Sequence, residues 1–170
     1  MIGKAMQEAM NEQINKEFFS SYLYLSMAAY FEDKNLTGFA HWMRLQADEE
    51  REHAMKFYNY ILDAGGRIHL KAIGAPETDW KSNLQVAEQV AEHEASVTAS
   101  IHDLYALALE EKDYAAQVML HWFISEQVEE EKNAAELVAK LKLIEERGTA
   151  VLMLDHRLSK RNGEEEGKEE

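Results

Sequence analysis

Apolar positions recur at steps of three and four residues through four long stretches, a spacing that predicts four amphipathic helices. In the first, from about Lys4 to Asp33, the inward line runs through Met10, Ile14, Ser21, Tyr24, Ala28 and Phe31. A short break follows, Lys34-Asn35-Leu36-Thr37-Gly38, with Thr37 as the expected N-cap of the next helix. So short a connection makes that helix an antiparallel neighbour of the first. The second helix turns Trp42, Gln46, Phe57 and Ile61 inward, reaches about Ala64 and stops at Gly65-Gly66. The third starts near Ser82, a second expected N-cap, and continues to about Glu110 with Ala87, Val90, Val97, Ile101, Leu104 and Ala108 inward. Beyond a turn at Glu111-Lys112-Asp113, the fourth carries Ala116, Leu120, Phe123, Ala134, Leu137 and Leu141.

Two stretches fall outside this rhythm. Residues 67–80 contain the only proline and a short alternation of Ile68, Leu70 and Ala72, which reads as extended chain lying on a surface. At ~3.3 Å per residue such a segment spans the ~42 Å of a helix of about 28 residues, so it can carry the chain from one end of a bundle back to the other. After Gly148 comes the apolar run Ala150-Val151-Leu152-Met153-Leu154, then Leu158. It is too short for a fifth bundle member. Either it folds over the end of its own bundle, or it packs against copies of itself about a symmetry axis. Residues 1–160 read as one domain, and residues 161–170 as an acidic, disordered tail.

Each of the four helices interrupts its apolar seam near the middle. Glu17 falls three residues after Ile14, Glu50 and His53 share the line of Trp42 and Phe57, and Glu94 breaks the third seam. Gln127 and Glu130 break the fourth. All lie roughly 12 to 15 residues from a helix end, at ~1.5 Å each, so they can meet at one level of the bundle. Any one of these residues by itself reads as a salt-bridged or hydrogen-bonded core group. Their coincidence on four helices is what points to a site, because a lone buried carboxylate costs several kcal/mol and is normally paired or bound to metal.

Composition narrows the chemistry. The chain has 170 residues, 46% of them hydrophobic, and no Cys, which excludes disulfides, thiolate metal sites and iron–sulfur clusters. No apolar run approaches the ~20 residues of a membrane span, and the N-terminus lacks the apolar core of a signal peptide, so a cytoplasmic location is expected. A net charge of −14 argues against nucleic-acid binding, which needs a basic surface.

Four glutamates, one histidine and one glutamine form a hard-oxygen site with a single imidazole, suited to Fe²⁺, Mn²⁺ or Zn²⁺. Four crowded carboxylates repel unless cations neutralise them. Glu50, beside the histidine, is the natural bridge between two divalent ions. Glu17 and His53 then serve one ion, and Glu94 and Glu130 the other. Gln127 is the weakest member, either a ligand or a hydrogen-bond donor to a water or carboxylate. Tyr24, two turns beyond Glu17 on the same side, reads either as a core residue or as a group that hydrogen-bonds Glu94 and donates an electron. Glu49, Glu126 and Glu129 flank the centre and, with Glu130, form either an all-carboxylate third metal site or solvated surface charge.

The runs "FFSSYLYLSMAAYFED", "GFAHWMRLQADEEREHAMKFYNYI", "EHEASVTASIHDLYALALEEKDYA" and "WFISEQVEEEKNAAEL" resemble the non-haem prokaryotic ferritins over nearly the whole chain. The general di-iron carboxylate pattern has Glu-x-x-His on two helices. Here the fourth helix carries Gln127-x-x-Glu130 instead, unlike bacterioferritin and rubrerythrin. Arg51 stands where bacterioferritins place a haem-holding methionine, so no haem is expected. Animal heavy-chain ferritins share the glutamine but not Glu130, and the DNA-protecting mini-ferritins match less well.

The resemblance implies an all-α ferritin-like four-helix bundle with a long crossover between helices 2 and 3 and a short C-terminal helix at about residues 146–158. It implies 24 subunits in a hollow shell, with that helix at the four-fold axes. It implies iron storage with ferroxidase activity: Fe²⁺ oxidised by O₂ or H₂O₂ at a di-iron centre of Glu17, Glu50, His53, Glu94, Gln127 and Glu130, with Tyr24 nearby. A third iron site is implied at Glu49, Glu126, Glu129 and Glu130. The rival readings are a di-iron or di-manganese oxidase or peroxidase without storage, and a metal-free bundle that binds a protein partner through its acidic faces.

Overall fold

The computed structural model describes residues 2–145 and 147–161. Five helices follow one another: α1 (Lys4–Asp33), α2 (Thr37–Asp63), α3 (Asn83–Glu110), α4 (Tyr114–Ile144) and α5 (Gly148–Leu158). The first four pack as a bundle, and α5 lies across its end against α2 and α4. The expected start of the fifth helix at Glu146, and the tail from 162 onward, lie outside the described residues.

The core comes in two halves. One joins Leu23, Met27, Phe31, Phe39, Met43, Val86, Val90, Ala134 and Leu137 with Val151 and Leu154 of α5. The other joins Met6, Met10, Ile14, Phe57, Ile61, Ile101, Leu104, Leu120 and Phe123. These groupings make α2 run antiparallel to α1 and parallel to α3, an order that only a long crossover can produce. The polar residues that interrupt the seams fall between the halves on every helix.

The crossover is fixed to α1 by a ladder of amides four residues apart. Gln7 Oε1 accepts from Arg67 N at 2.8 Å, Asn11 Oδ1 accepts from His69 N at 2.7 Å, and Asn15 Nδ2 donates to Ala72 O at 3.2 Å. Farther along, Ser26 Oγ donates to Glu77 O at 2.5 Å. The segment is thus extended, as its alternation predicts, but the apolar face does not hold it. Ile68 packs on the core, whereas Leu70 is 67% exposed and Ala72 is exposed. Backbone hydrogen bonds to the amides do the work instead.

Two caps differ in outcome. Ser82 Oγ accepts from Gln85 N at 3.0 Å, as expected. Thr37 is not the N-cap of α2; Leu36 holds that position and has no side-chain cap. The orphan amides of Gly38 and Phe39 donate instead to Asp155 Oδ1 of α5, at 2.8 and 2.9 Å. Ser21 is also not part of the buried seam. It faces α2 half-buried and donates to Ala47 O at 2.6 Å, while Ser20 is the fully buried serine.

The segment after Gly148 does fold over the end of its own bundle. Val151 and Leu154 fold onto their own bundle, and Leu152 and Met153 are 61% and 72% exposed on the opposite face. The close approach depends on Gly38, where a Cβ would lie 1.8 Å from the Asp155 carbonyl oxygen. Since the obstructing atom is backbone, Gly38→Ala is expected to lift α5 off the bundle and lower the thermal midpoint by roughly 5 to 10 °C. Limited proteolysis should then cut ahead of α5; an unchanged melt with α5 still protected would refute this packing.

Candidate metal centre

Between the two core halves, Glu17, Glu50, His53, Glu94, Gln127 and Glu130 are all buried, none more than 6% exposed. Ligand atoms of Glu17, Glu50 and His53 lie within 4.8 Å of one another, and so do those of His53, Glu126 and Glu130. His53 Nδ1 is 3.4 Å from Glu50 Oε2. The imidazole is held edge-on by Trp122 and Phe123, with ring centroids 5.4 and 5.8 Å away.

Each of three carboxylates is oriented by a neutral hydrogen-bond donor. Gln13 Nε2 donates to Glu17 Oε1 at 2.8 Å, Gln46 Nε2 to Glu130 Oε2 at 2.9 Å, and the Tyr24 hydroxyl to Glu94 Oε1. Gln127 Nε2 donates to Glu94 Oε2 at 3.2 Å, to Glu94 O at 3.3 Å and to Thr98 Oγ1 at 3.2 Å. The amide nitrogen of Gln127 is therefore turned to Glu94.

Among the described residues, His53 is the basic group that an ion pair brings to these acids. Among the described residues, the ion pairs join none of Glu17, Glu50, Glu94 or Glu130 to a Lys or Arg. Glu17 and Glu50 face each other closely enough for a proton on one to bond the other. As carboxylates neither donates, and Glu17 Oε2 and both Glu50 oxygens are left without a hydrogen-bond partner.

Burial pushes all four acids above the usual carboxylate range, and the crowding adds to it. For Glu17 the second cause is the charge of Glu50, and for Glu50 it is that of Glu94. Glu94 is raised mainly by burial, against the bonds from Tyr24 and Gln127. Glu130 is pushed up to about 9 by burial and then by Glu94, Glu49 and Glu126. The Tyr24 phenol is raised well above its ordinary value by burial and then by Glu94, so it stays a donor at neutral pH. Orphaned carboxylate oxygens beside one imidazole are the donor set that a hard or borderline divalent ion fits.

The flanking acids separate. Glu126 is half-buried within reach of His53 and Glu130, and Glu49 is half-buried and raises Glu130 electrostatically. Glu129 is exposed and belongs to neither grouping. Helical spacing alone assigns no role to Gln13 and does not show what Gln46 meets. Gln13 stands four residues before Glu17 on the same face, a usable signal; Gln46 meets Glu130 only through packing of α2 on α4.

Comparison with known proteins agrees with this architecture. The ferritin-like domain family matches residues 7–144. A bacterial non-heme ferritin of Bacteroides fragilis is 42% identical over 161 residues, covering 95% of this chain and all of that protein. One from Staphylococcus aureus is 37% identical over 166 residues, covering 98% and 100%. An open-pore ferritin from the hyperthermophilic archaeon Archaeoglobus fulgidus superposes with a TM-score of 0.94 at 48% identity, over 95% of this chain and 100% of that one. A form of that ferritin engineered to be closed gives the same TM-score and identity, over 95% and 99%. The chain belongs to the ferritin family.

Proposed function

We propose that this chain is the subunit of a cytoplasmic iron-storage shell and a ferroxidase, oxidising Fe²⁺ at a two-iron centre inside each bundle. One observation carries the reading: four buried carboxylates sit at mid-bundle with no ion pair to a Lys or Arg among the described residues, and both oxygens of Glu50 lack a hydrogen-bond partner. Membership of a family whose named relatives are non-heme ferritins supports iron as the metal and supports the absence of haem. Among the described residues no helix is long and apolar enough to cross a membrane.

In this reading Glu50 bridges two Fe²⁺ substrates. Glu17 and His53 complete one site, and Glu94 and Glu130 the other, with Gln127 and Tyr24 holding Glu94. Two ferrous ions each give one electron, so O₂ with two protons yields H₂O₂, and H₂O₂ with two protons yields two waters. Glu49, Glu126, Glu129 and Glu130 take a third iron. The product leaves for a ferric oxyhydroxide core within a shell of 24 subunits, for which the exposed Leu152 and Met153 of α5 offer an apolar contact face.

His53→Ala removes the imidazole from the proposed ligand set and is expected to slow aerobic oxidation of Fe²⁺ by about tenfold to a hundredfold, read as the growth of ferric absorbance. A parental rate in that variant would contradict the assignment. Gel filtration separates the storage shell, a particle of several hundred kDa, from a non-storage oxidase that elutes as a monomer or dimer. Metal analysis of the purified protein separates both from a metal-free partner-binding bundle.

A further inference from the structure

A hydrogen-bonded chain runs from the protein surface to Glu17 through side chains of α1 and α3. The Lys16 ammonium donates to Ser100 Oγ at 2.7 Å, the Ser100 hydroxyl donates to Gln13 Oε1, and Gln13 Nε2 donates to Glu17 Oε1 at 2.8 Å. The polarity of each link is dictated by the one before it. An ammonium has donors and no acceptor, so Ser100 must accept from Lys16 and is left to pass its single proton onward. Gln13 then turns its carbonyl to Ser100, and its NH₂ is what remains for Glu17. Gln13 is 1% exposed and Ser100 is 8% exposed. A reversed amide would set oxygen against carboxylate oxygen with no water between them.

The consequence falls on Glu17. Its Oε1 is taken by the amide, while Oε2 has no hydrogen-bond partner and belongs to the carboxyl grouped with Glu50 and His53. We propose that Gln13, locked in one orientation by Ser100 and Lys16, is a positioning residue that holds Glu17 so that only Oε2 is offered to the cation shared with His53. This rests on the two-cation reading of the centre. Gln13 acts through Glu17 and touches no cation itself. The other half of the centre has separate supports: Tyr24 and Gln127 on Glu94, and Gln46 on Glu130. None of them belongs to the Gln13 chain, so the two halves should respond differently to its loss.

The test is an anaerobic Co²⁺ titration of the full-length assembled protein, followed by the visible ligand-field absorption of the bound ion. The parent is expected to fill two sites. Gln13→Leu should weaken one of them by about tenfold or more and leave the other unchanged, the size expected for loss of a partner behind a ligating group. Ser100→Ala should weaken the same site by less, and Ser100→Thr, which keeps the hydroxyl, should restore the parental curve. Equal weakening of both sites would mark a general structural loss and overturn the proposal. So would no change at either site, or a Ser100→Thr loss as large as that of Ser100→Ala. A parent that takes up no Co²⁺ fails differently, since it would remove the two-cation centre itself.

Discussion

Glu50→Ala is expected to lower the initial rate of Fe²⁺ oxidation by about a hundredfold to a thousandfold, the equivalent of several kcal/mol of lost charge stabilisation. The size of the effect follows from what Glu50 is asked to offset. Two divalent ions about 4 Å apart repel by roughly 16 kcal/mol at an effective dielectric of 20, four times the value for unit charges. A carboxylate placed between them answers both at once. Glu50 is 1% exposed, stands among Glu17, His53, Glu94 and Glu130, and has both oxygens free of hydrogen bonds. Of the neighbouring acids, Glu17 and Glu130 accept on one oxygen from Gln13 and Gln46, and Glu94 accepts on both from Tyr24 and Gln127. None can replace it without breaking such a bond. The isosteric Glu50→Gln should also slow oxidation, yet raise the melting temperature of the iron-free protein at neutral pH, because it removes a buried acid without leaving a cavity. Stopped-flow mixing and calorimetry read the two effects; an unaltered rate would exclude Glu50 as the bridge.

The second large effect is a pH dependence of opposite sign in the iron-free and iron-loaded protein. Glu130 titrates at about 9 in the folded chain against 4.5 for an ordinary glutamate, and Glu17, Glu50 and Glu94 are also raised. Between those two limits the folded state retains a proton that the unfolded state has released. The stability this confers is therefore complete below the unfolded value and is lost as pH rises through the folded one. Glu130 makes the iron-free protein weaker by roughly 1 kcal/mol per pH unit across that window, and the three other acids act in the same direction. Metal reverses the sign, because it binds the carboxylates only after their protons leave. Affinity should climb about tenfold per pH unit for each proton displaced. Calorimetric titration in buffers of different ionisation enthalpy counts those protons. Metal uptake with no proton release near neutral pH would mean the carboxylates are already ionised and differently compensated.

Much of this architecture is legible in the amino-acid sequence, because the relevant forces act at helical spacing. The three-four alternation that places Ile14, Phe57, Ile101 and Leu120 in the core also marks Glu17, Glu50, Glu94 and Glu130 as intruders on the same line. Four interruptions, each near mid-helix, give one polar level, and the core divides around it. What the spacing does not carry is contact between distant segments. Asp155 caps α2 from 117 residues away, so Thr37, a reasonable cap by local rules, gives up the role. Gln46 stands on the inward stripe, but its bond to Glu130 exists only once α2 meets α4. The amide ladder of Gln7, Asn11 and Asn15 leaves no periodic trace because its partners are backbone groups of an irregular segment. Local periodicity describes faces, and tertiary packing decides what each face meets.

Everything proposed for the centre depends on one claim, that cations and not basic side chains neutralise the acids at mid-bundle. Anomalous diffraction at the iron edge, from crystals soaked anaerobically in Fe²⁺, tests it most directly. Two peaks a few Å apart are predicted, one against Glu17 and His53, one against Glu94 and Glu130, with Glu50 between them. A centre that stays empty in iron-soaked crystals, its carboxyl groups protonated and bonded to one another, would contradict the account.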